Sequence, residues 1–275
     1  MEKVKWGILS TANFARERFL PGVLLAEKCE VVAIASRDLD KARDMADHFQ
    51  IPKAYGTYEE ILADPEIDLV YVPLPNHLHV DWAIKVLEAG KHVLCEKPLG
   101  LNKADAQRLV QASKKYPHLN AMEAFMYRFH PQWMTAHQWV NEGKVGRLCT
   151  IQSFFSYNNL DPNNIRNNPD IGGGGLMDIG CYCISLSRWI FGRQANRVLG
   201  IVERDPVMKI DRMSSGVMDF GDGTATFTCS TQVSPYQRVH IVGTKGRIEI
   251  EIPFNAPPDR ETRIWLETHE GIQEK

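Results

Sequence analysis

The sequence predicts an α/β protein of two domains: a doubly wound parallel sheet, then an α+β domain built on an open, mostly antiparallel sheet. Three observations carry this prediction. Over residues 4–124, short apolar or β-branched runs alternate six times with helical segments, the pattern of a parallel sheet covered by helices on both faces. After Phe125 the alternation gives way to a series of strand-like runs with few helices among them. A chain of 275 residues is long enough for two domains of ordinary size. The expected division is 1–124 and 125–275.

Residues 4–9 (VKWGIL) read as the first strand, and a helix through Leu20, Val23, Leu24 and Ala26 follows, with Pro21 as a kink or interruption. The β-branched run 31–36 is the second strand, and 39–49 alternates apolar and charged residues at helical spacing. Tyr55 lies in a short third strand and 58–62 in a short helix. Strand four, 69–72, ends in Pro73-Leu74-Pro75-Asn76; the next helix starts near His77 and stops at Gly90, a good residue to end a helix. Strand five is 92–95, a helix spans 102/103–116, and strand six is 119–124.

In the second half, 131–141 reads as a helix, and strands are expected around 148–157, 197–202, 217–220, 225–229, 239–242 and 247–250. Gly221-Asp222-Gly223 and Gly243-Thr244-Lys245-Gly246 are hairpin signals. One helix, 176–191, follows four glycines at 172–175, and the end of the chain reads as a polar tail.

Hydrophobic content of 44% and charged content of 24% are those of an ordinary globular protein. A net charge of -2 without a basic run excludes a nucleic-acid or anionic-membrane role. No apolar stretch approaches the ~20 residues that span a bilayer. The start, Met1-Glu2-Lys3-Val4-Lys5, leads straight into a strand and carries no secretory apolar region. Six scattered cysteines without a CxxC read as free thiols in a reducing compartment, so the expected location is cytoplasmic. The dispersed histidines form no metal-ligand spacing, and no metal is expected.

A dinucleotide would need its phosphates close to backbone N–H groups where the first strand turns into a helix. The glycine fingerprint is degraded here to Ser10, Ala12 and Ala15, yet all three are small, and Ser10 and Thr11 add hydroxyl donors. A plain tight junction would look the same. The end of the second strand is more informative. An acidic residue there hydrogen-bonds the ribose of NAD, whereas an arginine accommodates the 2′-phosphate of NADP. This chain has Ser36 and then Arg37, with Asp38 one residue on as a helix N-cap, which favours NADP over NAD.

The stretch Glu96-Lys97-Pro98 ends strand five abruptly in a charged pair and a proline. Strand ends of a parallel sheet face the ligand crevice. On its own the stretch fits either a functional lysine or an ordinary ion pair of Glu96 with a neighbour.

Taken together, Pro75-Asn76-His77-Leu78-His79, Glu96-Lys97-Pro98 and the run 173–182 (GGGLMDIGCY) resemble the Gfo/Idh/MocA oxidoreductases over nearly the whole chain. The segment 122–131 (MEAFMYRFHP) is most similar to the branch holding NADP-dependent aldose (xylose or glucose) 1-dehydrogenases and trans-dihydrodiol dehydrogenase. The resemblance implies an N-terminal Rossmann domain and a C-terminal sheet whose face packs against a second subunit in a homodimer or homotetramer. It implies a catalytic Lys97, often preceding a cis proline, and a tyrosine, Tyr182, where many members carry histidine. The cofactor-binding set it suggests is Ser10, Thr11, Ala12, Asn13, Phe14, Ser36, Arg37, Leu74, Asn76, His79, Glu96, Lys97 and Arg166. Relatives usually run some tens of residues further, which fits either a native short end or a truncated form.

The chemistry of these residues agrees. Oxidising an alcohol by hydride transfer needs a base for the hydroxyl proton. A free tyrosine titrates near ~10, and a lysine ammonium nearby favours its phenolate. Lys97 and Tyr182 thus form an acid/base pair drawn from the two domains, with either group as the first proton acceptor. Asp178, four residues before Tyr182, would share its helix face and bond substrate hydroxyls or orient Lys97; alternatively it is a carboxylate favoured by the helix dipole. The glycines at 172–175 either admit the nicotinamide or form a flexible turn. Arg128 and His130 are weaker candidates, and Phe154, Tyr157 and Phe129 would form an apolar wall. The expected activity is NADP-dependent oxidation of a cyclic sugar or polyol, foremost an aldose 1-dehydrogenase giving a lactone. Rivals are a trans-dihydrodiol dehydrogenase, a keto-sugar reductase, and a non-catalytic protein sensing NADP or sugar.

Overall fold

The computed structural model describes residues 3–275, so Met1 and Glu2 of the expected N-terminal run lie outside the described residues. The chain divides into two compact units, Met1–Ala124 and Phe125–Lys275.

The first unit is a six-stranded sheet in the order β3-β2-β1-β4-β5-β6, with every neighbouring pair parallel. Its strands are β1 (Val4–Leu9), β2 (Cys29–Ala35), β3 (Lys53–Tyr55), β4 (Leu69–Val72), β5 (His92–Cys95) and β6 (Ala121–Glu123). Its helices are α1 (Leu20–Val23), α2 (Leu39–Phe49), α3 (Tyr58–Ala63), α4 (His79–Glu88) and α5 (Lys103–Lys115). Successive strand residues point to opposite faces, and here both faces are buried. Ile8, Ile34 and Tyr71 join Leu20 and Met45 in one core. Leu9, Ala35, Val70 and Val72 join Ile61, Val86, Leu87 and Leu109 in the other. Continuous apolar runs, without polar alternation, are what such doubly covered strands require.

Local chemistry sets the helix ends. Asp38 caps α2 by accepting from the Lys41 N–H, Thr57 and Glu60 form a capping box on α3, and Asn102 caps α5. The first helix departs from the sequence expectation. It opens with a π-turn, Ala15–Phe19, in which the Leu20 N–H reaches back to the Ala15 carbonyl, and Leu24 and Ala26 fall outside it. Pro21 has no N–H to offer the preceding turn, which favours widening there.

The second unit holds α6 (Pro131–Asn141), α7 (Cys181–Phe191) and an eight-stranded sheet in the order β14-β13-β12-β11-β7-β10-β9-β8. The strands are β7 (Leu148–Asn158), β8 (Arg197–Arg204), β9 (Asp211–Asp219), β10 (Thr224–Ser230), β11 (Gln232–Gly243), β12 (Gly246–Ile250), β13 (Ile264–Thr268) and β14 (Gly271–Glu274). β7 and β10 pair in parallel and the other pairs are antiparallel. Both hairpin signals fall at turns, joining Asp219 to Thr224 and Val242 to Arg247. Trp133 and Trp139 of α6 and Leu186 of α7 share one core with Ile151, Phe155, Ala225 and Ile241 of the sheet. The expected polar tail is instead the β13–β14 hairpin. Only two of its positions, Ile264 and Leu266, are buried, too few to stand out among charged neighbours. Among the described residues no helix is long and apolar enough to cross a membrane.

Candidate active site

In the first unit the strand order reverses between β1 and β4, and the carboxyl ends of the strands at such a switch point form the ligand crevice of open α/β sheets. The turn after β1 fits a dinucleotide phosphate. Ser10 adopts φ +94, the left-handed region that ordinarily selects glycine. Its N–H donates to the Ala35 carbonyl at 2.7 Å, which ties the turn to the end of β2. Thr11, Ala12 and Asn13 follow, and Phe14 stands without a side-chain cap at the start of the helical turn, the end of a helix that attracts an anion.

At the end of β2, Ser36 is buried and its Oγ accepts from the Asp38 N–H at 3.2 Å. Asp38 in turn is committed to α2, accepting from the Lys41 N–H at 3.3 Å and pairing with the Lys41 ammonium at 3.5 Å. Arg37 is exposed and makes no hydrogen bond or ion pair among the described residues. The strand therefore ends in a hydroxyl and an unengaged guanidinium, with the nearby acid turned to other use. That set suits a phosphorylated ribose.

The loop after β5 is held by side chains from three neighbouring elements. The Tyr71 hydroxyl, on β4, donates to Glu96 Oε1 at 2.6 Å. Glu96 Oε2 accepts from the Lys97 N–H at 3.2 Å, and Glu123 Oε1, on β6, accepts from the Leu99 N–H at 2.8 Å. The Lys97–Pro98 peptide is cis, the geometry expected of this motif. His79 is 1% exposed; its Nδ1 lies 2.8 Å from the Pro98 carbonyl oxygen and its Nε2 2.6 Å from that of Leu74. Burial, joined by the smaller effect of the Lys97 charge, holds the imidazole below its usual pKa against the pull of the two carbonyls. The ring expected to contact a cofactor lies between these two carbonyls, just past the ends of β4 and β5, and in its neutral form it donates its one N–H to one of them. Leu74 is buried and offers its carbonyl to that ring, and Asn76 opens the 3₁₀ turn Asn76–Leu78 before α4.

In the second unit, Asp178 sits in a π-turn, Leu176–Gly180, that runs directly into α7. Its carboxylate is 9% exposed as a residue and doubly engaged: the Tyr157 hydroxyl donates to Oδ2 at 2.5 Å and the Arg166 Nε–H to Oδ1 at 3.2 Å. Asp178 foremost, then the phenols of Tyr157 and Tyr182, raise the guanidinium pKa of Arg166 against its partial burial. Tyr182, on the first turn of α7, is buried among aromatic rings, with centroids 5.3 Å from Phe125, 5.4 Å from Phe254, 5.7 Å from Phe155 and 5.8 Å from Tyr127.

Gly173 and Gly174, before Asp178, are tightly packed. A Cβ on Gly173 would lie 2.5 Å from the Asn168 carbonyl oxygen, and one on Gly174, at φ +117, would collide with Asp211 Oδ1. Asp211 Oδ2 accepts from the Leu176 N–H at 2.5 Å, so a carboxylate from β9 caps the π-turn; burial raises its pKa. Arg128 lies over the Trp189 ring at 4.9 Å and His130 caps α6, both structural uses. Sequence reasoning missed Tyr71, Glu123 and Asp211 altogether and placed Tyr157 in an apolar wall. No local signal marks them, because each acts on a residue far along the chain.

Comparison with known proteins agrees with this architecture. Residues 4–123 match the oxidoreductase family with an NAD-binding Rossmann fold, GFO/IDH/MocA, and residues 133–249 match the GFO/IDH/MocA C-terminal domain. The chain is 48% identical over 268 residues to an uncharacterized oxidoreductase of Rhizobium meliloti, covering 97% of this chain and 80% of that one. It is 39% identical over 265 residues to a D-xylose 1-dehydrogenase (NADP(+)) of Haloferax volcanii, covering 96% and 80%. A 3-ketoreductase from Actinomadura kijaniata, solved with NADP and TDP-benzene, superposes with a TM-score of 0.89 at 28% identity, covering 100% of this chain and 84% of that one. The chain therefore belongs to the GFO/IDH/MocA family of oxidoreductases.

Proposed function

We propose that the protein is an NADP-dependent dehydrogenase of cyclic sugars or polyols, acting foremost on the anomeric hydroxyl of an aldopyranose to give a lactone. The observation that carries this reading is the loop after β5, where Tyr71, His79 and Glu123 fix the backbone on either side of Lys97 at the carboxyl edge of the sheet. Such support is spent on a side chain that must be placed accurately. Ser36 and Arg37 support NADP, as does the 39% identical D-xylose 1-dehydrogenase (NADP(+)).

The nicotinamide, when bound, supplies the acceptor for the hydride. The protein's residues handle the rest. Lys97 donates to the substrate oxygen and stabilises negative charge as it develops there. Tyr182 exchanges the hydroxyl proton. Asp178, an acceptor held in place by Tyr157 and Arg166, orients a neighbouring hydroxyl of the sugar. Ser10, Thr11, Ala12, Asn13 and Phe14 cradle the pyrophosphate, and Arg37 takes the 2′-phosphate. A second reading, reduction of a keto-sugar, is favoured by the likeness to the 3-ketoreductase and uses the same residues in reverse. The apolar side chains exposed on edge strand β8, Val198 at 75%, Leu199 at 73% and Ile201 at 78%, support a homo-oligomer formed through the second unit's sheet.

The test is a screen of NADP reduction over aldoses, polyols and dihydrodiols, with NAD as control and keto-sugars plus NADPH as the reverse arm. A higher kcat/KM with NAD overturns the cofactor assignment, and turnover confined to keto-sugars overturns the direction. Lys97→Met should abolish turnover while NADP affinity stays within a few-fold. Arg37→Ala should raise KM for NADP with kcat nearly unchanged.

A further inference from the structure

The buried faces of β7 and α7 meet in matching steps. Phe155 and Tyr157 lie two apart on one face of β7, a spacing of roughly 6.6 Å along a strand. Asp178 and Tyr182 lie four apart on the π-turn and α7, close to one helical turn of ~5.4 Å. Phe155 packs edge-on against the Tyr182 ring at 5.7 Å, and the Tyr157 hydroxyl meets Asp178 Oδ2 at 2.5 Å. One strand thus backs both the phenol and the carboxylate.

We propose that Tyr157 is a positioning residue of the reaction, whose hydroxyl, together with Arg166, fixes Asp178 as an ionised acceptor of defined orientation. This rests on the role given to Asp178 above. A short O–H···O⁻ bond to an anion is about twice as strong as a neutral one, and it favours the charged form. Arg166 adds a formal positive charge at the second oxygen over 3.2 Å. On the same turn the Cys181 Sγ donates to the Asp178 carbonyl at 3.6 Å, Asp211 Oδ2 accepts from the Leu176 N–H, and the Tyr182 phenol acts on the Arg166 guanidinium. Tyr157 and Arg166 both favour ionisation of Asp178. Removing either donor should therefore make Asp178 easier to protonate.

The test uses Tyr157→Phe, which keeps the ring and deletes the hydroxyl, with Arg166→Gln as a second variant. The Asp178 carboxylate is followed by ¹³C NMR through a pH titration of the whole protein, its signal assigned by loss in Asp178→Asn. In both variants its midpoint should rise by about one unit, a tenfold shift in the protonation equilibrium. In kinetics, kcat/KM for the sugar should fall at least several-fold, its acidic limb moving to higher pH, while in Tyr157→Phe the Kd for NADP is unchanged. An unmoved carboxylate midpoint in Tyr157→Phe overturns the proposal, whatever the melting temperature does. If wild type turns over no sugar or polyol while the midpoint still moves, the positioning inference stands and the functional reading fails.

Discussion

The Tyr71 hydroxyl donates to Glu96 Oε1 at 2.6 Å, joining β4 to the residue before Lys97. The Tyr71 ring is itself stacked on Phe19, centroids 3.8 Å apart, so the helix after β1 and the loop after β5 share one support. Tyr71→Phe keeps the stack and deletes the bond. It should cost about 2 kcal/mol, as for hydrogen bonds to charged groups, read as a lower urea midpoint. It should also lower kcat more than it raises KM for NADP. Unchanged kinetics would mean that Glu96 does not need this bond to hold Lys97.

Gly174 and Asp211 make a sterically closed pair. Gly174→Ala adds a Cβ into the Asp211 carboxylate at a backbone angle of +117°, and should destabilise by ~2 kcal/mol or more through strain and overpacking. Gly22→Ala, where a Cβ meets nothing within 4 Å, is the control and should be neutral or mildly stabilising. Thermal unfolding of the two variants checks this; equal melting temperatures would contradict it.

The hydroxyl of Ser36 is where NAD enzymes carry an acid. Ser36→Asp should lower kcat/KM with NADP through repulsion of the 2′-phosphate and raise it with NAD. The ratio of the two specificity constants should move by tenfold or more, about 1.4 kcal/mol. A ratio that stays fixed would remove Ser36 from the cofactor site.

Burial lowers the pKa of His79, His130, His137 and His240. A histidine with a depressed folded pKa is protonated first in the unfolded chain, so unfolding takes up protons and stability rises with pH in that interval. Stability should thus be full above the unfolded value of ~6.5 and decline as the pH falls below it, before the carboxylates titrate. Urea denaturation at pH 7.5 and 5.5 checks the sign; equal midpoints would show that these rings titrate freely.

The parallel half of the fold was legible because its signal is local. The runs of β1, β2, β4 and β5 are apolar on both faces, and the turn chemistry at Asp38, Gly90 and Gly221 is written in adjacent residues. The second half was legible where Gly-Asp-Gly marks a hairpin and obscure where pairing alone makes the strand, as in β13 and β14. The two π-turns were read as ordinary helix, since a wide turn is decided by what packs beside it. A Cβ on Gly180 would lie 2.8 Å from the Cys229 sulfur, a contact between residues nearly fifty positions apart. The candidate residues themselves came from short motifs, whereas their supports did not. Tyr71 with Glu96, Tyr157 with Asp178 and Asp211 with Leu176 are separated by 25, 21 and 35 positions.

The π-turn at Leu176–Gly180 fixes the angular phase between a carboxylate and a phenol on one helix. An α-helix advances about 100° per residue, so a turn that absorbs one extra residue resets every side chain beyond it relative to those before. Substitutions on the outer side of α7 leave that phase alone. A single insertion or deletion between Asp178 and Tyr182 would swing one of them away from the strand that supports both, even with every residue type retained. Spacing there constrains the protein as strongly as residue identity does.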